Sequence, residues 1–131
     1  MTALTPPSLH SAELHATFVR EDDVVRLIFQ GNADARADRD LDGFLSRVHA
    51  VVEAEPAREV VVDLQALEFM NSSCFKGFIT WIVQVRRMSP EQRYQIRMIS
   101  TSKYPWQKRS LHAISYFGGD LITIVTDPEA P

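Results

Sequence analysis

Apolar positions along the chain switch repeatedly between a strand period and a helix period. Val24, Val25, Leu27, Ile28 and Phe29 mark a strand at 23–31, and the segment 13–20 pairs with it as a hairpin turning near Glu21-Asp22. Leu41, Phe44, Leu45, Val48 and Val52 fall on one stripe of a helix at 38–54, with Asp38 and Asp40 at its positive end and Pro56 closing it. Val60 to Asp63 is a β-branched apolar run of the kind found in strands covered on both faces, which gives a strand at 59–65. After Asn71 the period is helical until Ser89-Pro90. Strands at 94–100 and 121–126 flank a third helix at 105–117, with Pro105 suited to its first turn and Gly118-Gly119 to its exit. The order ββαβαβαβ predicts an α/β fold with a mixed, mainly parallel sheet, right-handed crossovers and helices packed mostly on one face.

A chain of 131 residues with 45% hydrophobic and 24% charged residues suits one domain. Residues 10–127 are expected to form it, with 1–9, which contain Pro6-Pro7, as a loose tail and 128–131 as a second tail. No apolar run approaches the ~20 residues that span a bilayer, and the N-terminus lacks a basic segment followed by an apolar one. Cys74 is the only cysteine, so no intrachain disulfide forms. A cytoplasmic protein without membrane insertion is expected. The net charge of -3 is uneven: residues 1–71 carry six arginines against thirteen acids, residues 72–131 eight cations against four acids. With no long basic tract interleaved with aromatics, a protein partner is expected rather than nucleic acid.

The junction of the central strand with the second helix carries the most chemical information. Ser72 is expected at the helix N-cap, where a phosphate on its hydroxyl would lie against orphan N–H groups and the positive end of the helix dipole. Asp63-Leu64, Leu67, Phe69 and Ser72-Ser73 resemble the signature of STAS domains, in particular bacterial anti-sigma factor antagonists. The order of elements, Gly31 at the end of the second strand and the Gly118-Gly119 turn agree with that resemblance, which covers most of the chain. It implies a STAS-like domain, here without the final helix that many members carry. It also implies phosphorylation of Ser72, in preference to Ser73, by a regulatory ATPase-type serine kinase that doubles as an anti-sigma factor. The family segment Asp-Ser-Ser-Gly or Asp-Ser-Thr-Gly is replaced by Asn71-Ser72-Ser73-Cys74. Asn71 keeps an acceptor for the turn, whereas Cys74 adds a side chain where glycine would let a partner approach.

Parallel strands bring their C-terminal ends to one rim, so three loops are expected to meet there: Gly31-Asn32-Ala33-Asp34, Met70 to Cys74, and Lys103-Tyr104-Pro105-Trp106. The expected partner surface comprises Asn32, Asp34, Asn71, Ser72, Ser73, Cys74, Lys76, Lys103, Tyr104 and Trp106, with Lys108 and Arg109 as further candidates for sensing a phosphate. On the second helix Ser73, Lys76, Gly77, Thr80, Gln84 and Arg87 share one narrow arc and almost all else is apolar. The helix therefore buries more than one side, either against the sheet and neighbouring helices or against a partner or second copy through Trp81 and Met88. Monomer and homodimer both remain open.

Catalysis has little support. The chain has no Walker-type or dinucleotide-binding glycine loop, and His10, His15, His49 and His112 have no metal-ligand spacing, so no cofactor or metal is expected. The one enzymatic alternative is Cys74 as a nucleophile activated at a helix start. The expected protein is a non-catalytic, partner-switching regulator; the alternative is a STAS-like scaffold or accessory subunit of a signalling or transport complex, indifferent to phosphorylation.

Overall fold

In the computed structural model, residues 6–128 are described. Six strands form one sheet in sequence order, β1 (Leu9–Ser11), β2 (Leu14–Glu21), β3 (Val24–Ala33), β4 (Glu59–Met70), β5 (Gln95–Ser100) and β6 (Ile122–Thr126). β1 to β3 are antiparallel, and β3 to β6 run parallel through α1 (Asp38–Ala54), α2 (Ser72–Arg86) and α3 (Trp106–Gly118). Each crossover moves to the next strand in the same direction, so right-handed connections place all three helices on one face. Each of the three α-helices falls within one or two residues of the span read from the sequence. Among the described residues no helix follows β6.

Two differences lie in the strands. The expected tail at 1–9 ends earlier than Leu9: Pro7 is buried, and Leu9 belongs to β1, whose Ser11 hydroxyl donates to Asp40 Oδ2 at 2.6 Å. Residues 1–5 and 129–131 fall outside those described. The β1–β2 hairpin turns at Ala12-Glu13 with Ala12 at φ 53°, a conformation usually marked by glycine or asparagine, so its turn has no sequence signal. The Asp22-Asp23 turn, with Asp22 at φ 56°, uses a residue that tolerates that conformation and was legible.

The second difference positions the site. β4 runs to Met70, well past the expected end at 65, because its pairing with β3 shifts register twice. Ile28 and Gln30 face Asp63 and Ala66, and Gly31 and Asn32 face Leu67 and Phe69, so β4 carries an extra residue at each step. Each bulge re-aims the following side chain. Leu64, Leu67 and Met70, three residues apart, thereby all point into the core, which a regular strand of period two does not permit. Past Asp63 β4 no longer pairs with β5, so carbonyls on that side have no strand partner. The buried Gln107 of α3 takes up two of them, its Nε2 donating to Leu64 O at 2.7 Å and Leu67 O at 3.1 Å while its Oε1 accepts from Thr101 N at 2.8 Å.

The core also contains one polar chain. Trp81 Nε1 donates to Tyr94 Oη at 2.9 Å, and that hydroxyl lies 2.7 Å from His49 Nδ1, tying α2 and the approach to β5 to α1. Burial pushes the Tyr94 phenol up, so it stays a neutral hydrogen-bonding group. Trp81 is only 1% exposed, which removes it from any dimer or partner groove. α2 instead packs on the sheet, Phe78 against Phe29 of β3, and on α1 and α3.

Gln107→Leu removes three hydrogen bonds from a buried site and strands two carbonyls. Denaturant unfolding is expected to show a loss of about 2–4 kcal/mol. A loss within 0.5 kcal/mol, the ordinary effect of a surface substitution, would mean β4 holds past Asp63 without it.

Candidate functional site

β3 and β4 stay paired to Ala33 and Met70, so their ends enter the rim together. Gly31, at φ 96°, passes so close to the Glu13 carbonyl that a Cβ would collide with it, and the same carbonyl accepts from Asn32 N at 3.0 Å. Only glycine meets both demands. Asn71 N then donates to Ala33 O at 2.9 Å, and the Cys74 thiol donates to Asp34 O at 3.4 Å. The first two predicted loops are thus one hydrogen-bonded unit.

The cap differs from expectation by one residue. Asn71 is the N-cap of α2, its Oδ1 accepting from Cys74 N at 3.1 Å and from the Ser73 hydroxyl at 2.8 Å. Ser72 occupies the first helical position and is exposed. Asparagine is among the best capping residues and, sitting one position earlier in extended conformation, takes the role first. The two serines are consequently unlike. Ser73 is half-buried and committed to Asn71, whereas the Ser72 hydroxyl has no hydrogen-bond partner among the described residues. The backbone N–H groups of Ser72 and Ser73 lie in the first turn, where no preceding carbonyl reaches them. Lys76, exposed, stands one turn beyond Ser72 on the same face.

Around the serines lies a mixed set of charges. A shallow cavity of about 290 Å3 between α1 and α2 is lined by Asp38, Arg39, Asp42, Ser73, Lys76 and Thr80. Asp34 caps the turn before α1, and the Arg36 guanidinium, 2.6 Å from its carboxylate, holds the Asp34 carboxyl below the usual range. Arg36 also reaches Glu13 at 3.3 Å. Asp38, Arg36, Arg39 and Asp42 were not read as site residues, since no spacing in the sequence tells which turn the start of α1 faces.

Cys74 was expected on the partner surface and is instead fully buried. Burial first, then the nearby Asp38 and Asp34 carboxylates, push its thiol up to about 11. Both effects disfavour a thiolate, which speaks against Cys74 as an activated nucleophile.

Hydrogen bonds tie the start of α3 to β4 at Leu64 and Leu67, earlier in the strand than the Ser72 turn. β4 pairs with β5 only as far as Asp63, while it pairs with β3 to Met70, so the loop after Ser100 meets β4 near Leu64 and Leu67, through Gln107. Lys103 is exposed with its ammonium 5.4 Å from the Tyr104 ring centre, and Trp106 packs partly buried against the core of its own domain. The Trp106 indole N–H is buried without an acceptor among the described residues. Lys108 and Arg109 line a different cavity, between α3 and β6. Of the cations first considered for a phosphate, Lys76 is the one that α2 itself places beside Ser72.

No protein-family model matches this chain, and no curated protein matches it in sequence. Solved structures do match in fold. The crystal structure of an anti-sigma factor antagonist from Mycobacterium paratuberculosis superposes with a TM-score of 0.61 at 15% identity, covering 84% of this chain and 85% of that one. The antisigma-factor antagonist STAS domain from Rhodobacter sphaeroides gives 0.50 at 16% identity, covering 66% of this chain and 86% of that one. The chain has the STAS-domain fold, as the junction residues implied.

Two outcomes follow from the junction. Asn71→Ala should cost about 1 kcal/mol in denaturant unfolding, as N-cap loss does, with a null effect contradicting the cap assignment. Cys74 should resist iodoacetamide at neutral pH and react at once in denaturant. Because its folded value is raised, the stability it contributes is complete below pH 9.0 and is lost as pH rises towards about 11. Rapid labelling of the native protein at pH 7 would contradict its burial.

Proposed function

We infer that this protein is a non-catalytic cytoplasmic regulator of a bacterial partner-switching system, controlled by phosphorylation of Ser72. The observation that carries the reading is the division of labour at the start of α2: Asn71 satisfies the cap, which leaves the Ser72 hydroxyl exposed and uncommitted beside two free amides and Lys76. In the unmodified state the surface formed by Asn32, Asp34, Ser72, Ser73 and Lys76 docks a protein partner of the serine-kinase or anti-sigma type. The solved structures with this fold are described as anti-sigma factor antagonists, which supports a partner of that kind.

A phosphate on Ser72 adds about 1.5 to 2 negative charges at pH 7. Within the domain it is favoured by the first-turn amides, the helix dipole and Lys76 one turn on. Against a docked acidic or apolar surface the same charge is unfavourable, so the partner leaves while the fold stays. The buried Cys74 side chain adds no bulk to the surface that an approaching kinase would meet.

Baits of wild type, Ser72→Ala and Ser72→Glu, used in pull-downs from the native host, test this reading. An ATPase-type kinase held by wild type and Ser72→Ala and lost with Ser72→Glu is the expected result, with a difference in affinity of at least tenfold. Identical partner sets for all three baits would contradict the switch and leave a constitutive scaffold.

A further inference from the structure

β6 ends the sheet, and its outer edge has no neighbouring strand among the described residues. Its sequence, Ile122-Thr123-Ile124-Val125-Thr126, is β-branched throughout and uncharged. It lacks the charges, prolines and bulges that usually protect such an edge, so its outward N–H and C=O groups are a template for another strand. β1, at the opposite edge, is only three residues long.

Beside this edge, on the helical face of the sheet, α3 and β6 enclose a cavity of about 550 Å3. Its floor contains Leu111 and Ile124, and its walls carry Lys108, Arg109 and His112, with no acid among the lining residues. Tyr116, 86% exposed, continues the same face of α3 one turn beyond His112. Ile122 and Ile124 are packed only partly, although their strand neighbours Ile96 and Met98 are fully buried. Between Glu91 and Asp120 the chain has no acid and five cations. Asp127, which directly follows β6, is already engaged by Ser102, whose N–H and hydroxyl donate to it at 2.9 and 2.6 Å.

We propose that this edge and groove form a second docking site, distinct from the Ser72 surface, that accepts an extended acidic and apolar segment of a protein partner as a seventh strand. Backbone pairing with β6 supplies the affinity, apolar side chains at alternate positions fill the groove over Ile124 and Leu111, and carboxylates meet Lys108 and Arg109. Charge selects this occupant over a second copy of the chain. Pairing of β6 with itself would bring two sets of Lys108 and Arg109 to one seam, where like charges disfavour assembly.

A fluorescein-labelled ten-residue peptide of alternating valine and glutamate, titrated into the full chain and followed by anisotropy, tests the proposal. Binding is expected to weaken tenfold or more in the double variant Lys108→Glu, Arg109→Glu, to be absent for a valine and lysine peptide, and to slow hydrogen exchange at amides of Ile122–Thr126. These charge reversals lie on an exposed helix face, and circular dichroism checks that the variant is folded. Equal binding of both peptides, no effect of the double variant, unprotected β6 amides, or preference for a helical glutamate-rich peptide would each overturn it. So would sedimentation showing a dimer that the peptide cannot displace.

Discussion

Two extra residues in β4, and the single glutamine that anchors the strand where β5 leaves it, set the geometry on which the rest of the molecule depends. Without bulges, the strand beyond Asp63 would send alternate side chains to the open face of the sheet; with them, Leu64, Leu67 and Met70 all enter the core. Beyond Asp63 β4 has no β5 partner, and burying a carbonyl unpaired is unfavourable by roughly 1–3 kcal/mol. Gln107 meets two such carbonyls from α3. The strand can then continue beside β3 past the end of its pairing with β5, and the junction with α2 is carried out to the rim with its neighbours already fixed.

At that rim the polar groups are arranged so that structure and signalling do not compete for the same atoms. Asn71 holds Ala33 through its backbone and Cys74 and Ser73 through its side chain, and Cys74 turns inward onto Asp34. What is left uncommitted is the Ser72 hydroxyl, the first-turn amides and Lys76. An uncharged cap also leaves the helix start without a fixed carboxylate, so a phosphate arriving there meets no like charge on the capping residue itself. The second surface, at β6, lies two strands away in the sheet and carries the opposite character, an apolar groove with cations and no acid.

Most of the architecture was legible because helices and regular strands obey a period. The stripe of Leu41, Phe44, Leu45, Val48 and Val52 gave α1 almost to the residue, and Pro105 with Gly118 bounded α3. Reading stopped where the period broke. Leu64, Leu67 and Met70 at a spacing of three look neither like a strand nor like a helix, because the bulges that justify them exist only in the pairing with β3. β1 was hidden by an alanine in a turn conformation that alanine rarely adopts. At the junction, the cap was assigned one residue late and Cys74 was placed outside when it lies inside. Gln107 did leave a signal, as a polar residue on the stripe of Leu111 and Ile114. The facing residues of α1 left none, since contact between helix starts is a property of the crossovers and not of local sequence.

The central claim is that the junction is satisfied without Ser72, so a charge added there alters a surface and leaves the fold intact. Installing phosphoserine at position 72 and comparing amide NMR spectra and thermal unfolding with the unmodified protein tests this most directly. The account predicts shift changes confined to residues 32–39 and 71–80, with an unfolding midpoint unchanged or raised by the helix dipole. Shift changes spread through β5, α3 and the core, together with a lowered midpoint, would contradict it and show that Ser72 is part of the scaffold it was taken to leave free.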